Sequence, residues 1–472
     1  MFRGILPVVA TAVALTVSPA PAVVKLEMTL GKTYKDSRAV VVGAVTAVRA
    51  DARLIEVRLE KPLKGESPKP QFRIQAVSPA DLIAQVQVGQ PIVVMESQAS
   101  QGMALVHVAD SWYLAKAVPG TDPPVWRTAQ AHEQARASFP GRGTALVRLL
   151  EEIKAGKSPI ADRYERKPFA GGVRQRGKLP AKPDWMLAAP LRGEKAIDLI
   201  VGEKNSAAIF PATGSDFDFN QAIRATLKPP AYRAVGDTSG DGRPEVLLGS
   251  GLWSFDGKKL TAGPELALVG SPLAAAIVDV TGDQQPDVVA ISSAGELVVC
   301  ENPGPGKAVC CCRPAKTLWK GGEQPILANF GDWGDTGKPH LLVVFPNRIV
   351  RYALDDAGGP PAELDRLTGI DIRKNPKYKD GLGCRFAAAL DMDGDRRPDL
   401  LVLTSAGGLL LVNRGYGAFL LDQNLGPALS GLPFQPDAAT PWAAADLAGH
   451  GCDDLLLAGP DGTLYEADNG PN

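Results

Sequence analysis

Histidine is scarce in this chain: there are four, His107, His132, His340 and His450, and no two lie close in sequence. A histidine-built zinc site or a histidine-dependent hydrolase has little material to work with. Cysteine is nearly as rare, with six in 472 residues, too few for a fold that relies on disulfides as its scaffold. Net charge is almost absent, because 51 Lys+Arg oppose 52 Asp+Glu and leave −1. That balance excludes a generally basic nucleic-acid binder. With 45% of residues apolar, it also excludes a highly charged disordered chain. Beyond residue 22 no apolar run reaches the roughly 20 residues that a membrane-spanning helix needs.

Glycine and proline are plentiful instead, 50 and 40 residues. Together they make about a fifth of the chain, against about 12% in average proteins. They show no three-residue period, so the excess points to a turn-rich β protein rather than to collagen. At the N-terminus, Arg3 precedes an uncharged apolar run over 4–17, and Ala20-Pro21-Ala22 supplies small residues for cleavage. Residues 1–22 are therefore expected to be a signal peptide, and the mature chain to be secreted, periplasmic or at the cell surface.

Residues 23–118 carry short strand runs: 39–48, 54–59, 72–76, 91–95, 103–108 and 112–114. Their spacing predicts a small antiparallel barrel or sandwich. The succession loosely resembles OB-like barrel modules. Residues 119–183 read as a linker, helical over 125–155, where 145–154 places its apolar residues on one helix face. Its end is basic: Lys154, Lys157, Arg163, Arg166, Lys167, Arg174, Arg176, Lys178 and Lys182 face only Asp162 and Glu165. That run fits a solvated linker or, as the functional alternative, a site for an anionic polymer or membrane surface. Among the cysteines, Cys300 and the run Cys310-Cys311-Cys312 flank a Pro/Gly turn. A hairpin with Cys300 bridged to one member of that run is expected, whereas Cys384 and Cys452 lack such partners.

Residues 184–472 form a repeat array. Six units share a short apolar strand, a turn of Asp, Gly and Pro, and a second apolar strand. The anchor residue opening the second strand falls at 198, 245, 287, 340, 399 and 454. A spacing of this size suits one four-stranded blade per unit. Arranged radially, such blades protect strand edges that an open sheet would expose. A six-bladed β-propeller is expected, with a seventh degenerate blade as the alternative.

The turns carry the chemistry. Asp391, Asp393, Asp395 and Asp399 stand at loop positions 1, 3, 5 and 9, and Arg397 at position 7 would offer its backbone carbonyl. Alternating carboxylates in a tight turn converge on one point, a cage suited to a hard cation with many oxygen ligands, hence Ca²⁺. Asp279, Thr281, Asp283, Gln285 and Asp287 repeat the pattern with one hydroxyl. Asp237, Ser239, Asp241, Arg243 and Glu245 repeat it with a longer acid at the end. The three remaining copies have lost ligand positions. Arg396 and Gln284 stand at position 6, where a sharp turn calls for glycine.

At these residues the chain resembles the FG-GAP/VCBS repeat family, the blades of integrin alpha-type propellers. The segment from Asn413 through Gly415 and Gly417 to Phe419 is similar to an element that follows the calcium loop in bacterial members. The resemblance spans about 184–470 and implies a calcium-stiffened propeller used for binding or as a scaffold. The expected partners are an extracellular protein or a polysaccharide, with no nucleic acid. No catalytic constellation is visible, so an enzyme is not expected. The alternative is a propeller-type extracellular enzyme, such as a polysaccharide lyase or hydrolase, with its chemistry in the central channel.

Overall fold

The computed structural model describes residues 29–470, apart from 67–68, 78, 80, 133–134, 136–137, 140, 158–167, 194–195, 215, 229–230, 303, 305–310, 313–315, 320–323, 334–337, 355–361, 364–377, 379–380 and 426–428. The expected signal peptide lies outside the described residues. Among them no helix is long and apolar enough to cross a membrane.

The N-terminal part is a closed barrel of seven strands. They are β1 (Ser37–Arg49), β2 (Leu54–Lys64), β3 (Gln71–Ala76), β4 (Pro91–Ser97), β5 (Met103–Val108), β6 (Ser111–Val118) and β7 (Val125–Ala131). Alternation of apolar residues fills the interior with Val41, Ile55, Val57, Ile74, Val94, Val106 and Trp126. An OB barrel has five strands, so the expected likeness extends to the barrel principle and not to that topology.

Residues 125–131 were expected to be helical. They form β7, which pairs in parallel with β3 and antiparallel with β6, and so closes the barrel. Trp126 and Thr128 are buried there while Arg127 and Ala129 are exposed, a period-2 pattern that the helical reading of 125–155 overran. Helix α1 (Leu30–Asp36) precedes the barrel, α2 (Leu82–Gln85) follows β3 and adds Leu82 to the barrel interior, and α3 (Gly143–Lys154) lies outside it with Leu146, Leu149 and Leu150 buried.

The remainder is a ring of six blades. Four strands pair antiparallel in the first (Trp185–Ala189, Asp198–Glu203, Ser206–Phe210, Ile223–Thr226) and second (Arg233–Gly236, Glu245–Leu248, Gly251–Phe255, Leu260–Glu265). The third begins Pro272–Val278, the fourth Leu327–Gly331, the fifth Cys384–Leu390 and the sixth Trp442–Ala445. Six apolar layers alternate with the blades. Leu199 and Phe210 of the first blade meet Leu456 and Leu464 of the sixth, which closes the ring. The innermost strands are rich in alanine, which lets neighbouring blades approach at the axis. At Gly236 a Cβ would lie 2.6 Å from the Ile277 side chain of the next blade.

The basic segment before the first blade is not a linker throughout. Gly172–Lys178 forms β8, the outer strand of the sixth blade, paired with Thr463–Asp468. Two of its cations meet one acid: Arg174 and Arg176 both pair with Glu466, whose side chain is fully buried. Lys178 lies 3.5 Å from Asp461. Thus the chain closes its ring with an N-terminal strand, and three cations of the basic run pair across that closure.

In the third blade Cys300 is bonded to Cys312, across the short pairing of Glu296–Glu301 with Cys311–Cys312. Cys384 and Cys452 are buried thiols. A non-reducing digest is expected to yield the Cys300–Cys312 peptide pair, with Cys384 and Cys452 alkylated only after unfolding. Alkylation of Cys300 without reductant would contradict this pairing.

Candidate metal centre

The acidic turns join the first and second strands of their blades, so they gather at one end of the propeller. Three share one hydrogen-bond pattern and a fourth comes close to it. Asp391 Oδ1 accepts the N–H of Gly394 at 2.7 Å and Oδ2 that of Arg396 at 2.7 Å. Asp279 does the same with Gly282 and Gln284, at 2.6 and 2.8 Å. Asp237 does so with Gly240 and Gly242, at 2.6 and 2.8 Å. Asp446 accepts from His450 and Gly451, both at 2.8 Å, although Ala448 stands where a ligand was expected. One leading aspartate folding the turn onto its own carboxylate therefore suffices to shape the loop.

The turn demands left-handed backbone at position 4, where Gly240, Gly282, Gly394 and Gly449 all have positive φ. It demands the same at position 6, and there Gln284 and Arg396 adopt φ of 69° and 66°. A side chain in that region costs about 1–2 kcal/mol, part of which glycine returns through its freer unfolded state. Arg396→Gly and Gln284→Gly are each expected to raise stability by up to about 1 kcal/mol. Denaturant titration reads the gain, and a loss would show that the side chains earn their place by contacts.

The three loops then differ in what they bring together. Carboxylate oxygens of Asp391, Asp393 and Asp395 all lie within 4.8 Å of one another, and so do those of Asp237, Asp241 and Glu245. The loop of Asp279, Asp283 and Asp287 makes no such three-acid group among the described residues. Thr281 and Ser239 turn their hydroxyls to Asp279 and Asp237, at 3.4 and 3.3 Å. At position 7 the backbone N–H groups of Arg243, Gln285 and Arg397 donate to Asp241, Asp283 and Asp395 at 2.8, 2.9 and 2.8 Å. The Arg397 side chain also pairs with Asp395 at 2.6 Å.

The acid at position 9 departs from the expected cage. Asp399 is fully buried beneath the loop, where Oδ2 accepts the Met392 N–H at 2.8 Å and Oδ1 that of Asn413 at 2.7 Å. Asp287 is equally buried and accepts from Val280 at 3.1 Å and Asn302 at 3.0 Å. Asp454 repeats this with Leu447 and Asn469, at 3.1 and 2.8 Å. Glu245 is longer and serves both ends: it joins the close group, while Oε2 accepts the Thr238 N–H at 2.7 Å. In the first blade Arg192 reaches Asp198 with two nitrogens, Nη2 at 2.7 Å. The position-9 acid thus ties the turn to its blade.

Its asparagine partners were missed by sequence reasoning as a set. Asn302, Asn413 and Asn469 follow their acids by 15, 14 and 15 residues, a spacing that could have found them. Each side chain also crosses to the preceding blade. Asn302 Nδ2 donates to the Thr238 carbonyl at 2.7 Å, Asn413 to that of Asp332 at 2.8 Å and Asn469 to that of Met392 at 3.1 Å. Asp453 adds a second clasp at the fifth loop, accepting the Asp391 N–H at 2.9 Å.

Proton affinities separate the loops. For Asp237 and Asp279, burial pulls upward, but the backbone N–H groups overcome it and hold both carboxyls below the usual range. In the fifth blade the balance reverses. Burial and then the charge of Asp395 and Asp391 push Asp393 up to about 6, and Asp391 is also raised, first by burial. Burial, followed by the charge of Asp393, pushes Asp399 up to about 9. This loop holds negative charge that its own cations do not balance, which is the donor set a hard divalent ion would complete.

No protein family matches the chain, and no curated protein matches it. Among solved structures, the pore-form Tc holotoxin of Photorhabdus luminescens is similar over 81% of this chain, at 15% identity and a TM-score of 0.39. The chain spans only 18% of that toxin chain. An Agrocybe aegerita lectin, described for recognition of non-reducing terminal N-acetylglucosamine, is similar over 61% of this chain and 79% of its own, at 16% identity and a TM-score of 0.37. BBS1N, solved in complex with ARL6DN, is similar over 62% and 94%, at 13% identity and a TM-score of 0.36.

Proposed function

We infer that the chain is a non-enzymatic extracellular binding or scaffold module: a propeller of FG-GAP/VCBS type, stiffened by Ca²⁺ in the fifth blade, that engages a protein or polysaccharide. The observation that carries the metal reading is the convergence of Asp391, Asp393 and Asp395 within 4.8 Å, in a loop clasped to the sixth blade through Asp453. Those three side chains would hold the ion, which would supply charge and rigidity and no reaction. The loop of Asp237, Asp241 and Glu245 is the second candidate, and the loop of Asp279 ranks behind both.

Calcium is expected to raise the melting temperature, because a ligand that binds only the folded state adds about 2.7 kcal/mol at a hundredfold excess over Kd. Asp393→Ala should remove most of that response and leave the calcium-free protein as stable or more so, since like-charge repulsion is relieved. Asp446→Ala should leave the calcium response unchanged. Melting curves that ignore both calcium and chelator would overturn the metal reading and leave the propeller standing.

A further inference from the structure

Opposite the acidic turns, the fifth blade carries a pocket of about 570 Å³. The strand pairing fixes its place. Leu390 pairs with Asp399 at the end that bears the acidic turn, and Cys384 pairs with Thr404 at the other end. There the turn after Thr404 meets the segment 429–436, which leads towards the sixth blade, and the two form the walls of an open pocket.

Its chemistry is one-sided. Among the described residues of the lining, Arg385 is the only ionisable one and none is a carboxylate. The guanidinium is held in place: Nη1 donates to Gln435 Oε1 at 3.0 Å and Nη2 to the Thr404 carbonyl at 3.2 Å. Arg385 is nonetheless exposed, and a guanidinium carries five N–H donors, so donors remain for a guest. Gln435 spends its carbonyl oxygen on Arg385, which turns its amide into a further donor. Phe434 supplies the apolar wall. It is half-buried and packs at 5.7 Å, tilted, on Tyr465 of the sixth blade, which fixes the ring. Leu403 and Leu432 continue that wall.

We propose that this pocket binds an acidic sugar unit, a pyranose bearing a carboxylate. Its carboxylate pairs with Arg385 and Gln435, and its C–H face lies on Phe434. A fixed planar fork of donors suits a carboxylate, and the lining offers no acid to repel one. The volume falls in the range of small-ligand sites, with a few placed polar groups against an apolar wall. A cation or a strongly basic peptide has no partner here. The proposal rests on the binding-module reading and names a ligand class for it, but it does not require the metal.

The test compares methyl β-glucuronide with methyl β-glucoside, which differ only in the carboxylate, by calorimetry and ligand-observed saturation-transfer NMR on the full chain. The glucuronide is expected to bind at least about tenfold more tightly, the loss expected for one charge-assisted hydrogen-bonded contact. Arg385→Gln should bring the glucuronide down to the level of the glucoside and leave the glucoside unchanged. Because Arg385 is exposed, that variant should keep the parent melting curve. Phe434→Ala should weaken both sugars. Equal binding of the two sugars, an unaffected Arg385→Gln variant, or no saturation transfer from either sugar would each overturn the proposal. The calcium response of the same sample separates the outcomes. If it persists while the sugars fail, the pocket assignment alone falls. Sugar binding without a calcium response would remove the metal and leave the pocket.

Discussion

Replacing Glu466 with alanine is expected to destabilise the propeller by about 3–5 kcal/mol, the range seen when one partner of a buried ion pair is removed. Glu466 is fully buried and receives Arg174 at 2.7 Å as well as Arg176, whose side chain is only 7% exposed. Both arginines come from β8, so the contact joins the two ends of the ring. Without Glu466, Arg176 stays buried and loses the carboxylate it pairs with, while Asp216, Asp454 and Asp468 continue to offset part of its desolvation. The double change Arg176→Met with Glu466→Met should cost less than either single change, because it removes both charges from the interior. Equilibrium unfolding of the four proteins measures the coupling. Additive effects would mean that the ring does not depend on this latch.

The same strand decides where the propeller begins. A fragment starting at residue 184 lacks β8 and leaves the edge of Thr463–Asp468 unpaired. It is expected to aggregate through that edge, whereas one starting at 168 should remain monomeric by sedimentation.

The repeat was legible because the second, third and fifth blades each state their own turn in full: an acid, a positive-φ glycine, a proline and a run of apolar residues recur in one chain. Six copies pointed to six blades and left a seventh, degenerate one open; the closure of the first blade on the sixth decides for six. β8 was not legible. It sits almost 300 positions from its partner strand, towards the end of a basic run, and its two arginines look like solvated charge until Glu466 is placed beside them. The misread of 125–131 has a different cause. The strong amphipathic period of 143–154 was carried upstream over a stretch whose own alternation has period two.

For the site, spacing identified the acids but not their division of labour. Asp391 and Asp399 are equivalent in sequence as alternating acids. In space, Asp391 points into the turn, and Asp399 lies under it with both oxygens on backbone N–H groups. Only the partner of Asp399, the Asn413 amide 14 residues later, reveals the difference. The expectation of left-handed backbone at position 6 held at Arg396 and Gln284, because steric demands of a turn are local and follow from its length.

Acid should destabilise this protein through His107, and His107→Leu should remove that sensitivity. The ring is fully buried in β5, edge-on to Trp112 at 4.9 Å and 6.3 Å from Phe139. It lies where the barrel meets α3: a Cβ on Gly143, the first residue of that helix, would sit 3.6 Å from Nδ1. Neither ring nitrogen makes a well-formed hydrogen bond among the described residues. Burial lowers its pKa to about 4, against an opposing pull from Asp110 and the Gly141 backbone. Asp110 is itself engaged, accepting the Gly143 N–H at 2.9 Å. In the unfolded chain the ring titrates near 6.5, so below that pH the unfolded state gains a proton that the folded state refuses. Its contribution is complete above pH 6.5 and is lost as the pH falls towards 4, amounting to about 3 kcal/mol at the lower end. The raised carboxyls of Asp393 and Asp399 act with the opposite sign, because protonation favours the folded state there. The informative quantity is therefore the difference between parent and His107→Leu, measured by denaturant unfolding from neutral pH down to about pH 4. That difference should shift steadily in favour of the variant. A flat difference would mean that the imidazole takes its proton inside the folded protein, so that the barrel–α3 seam must admit water.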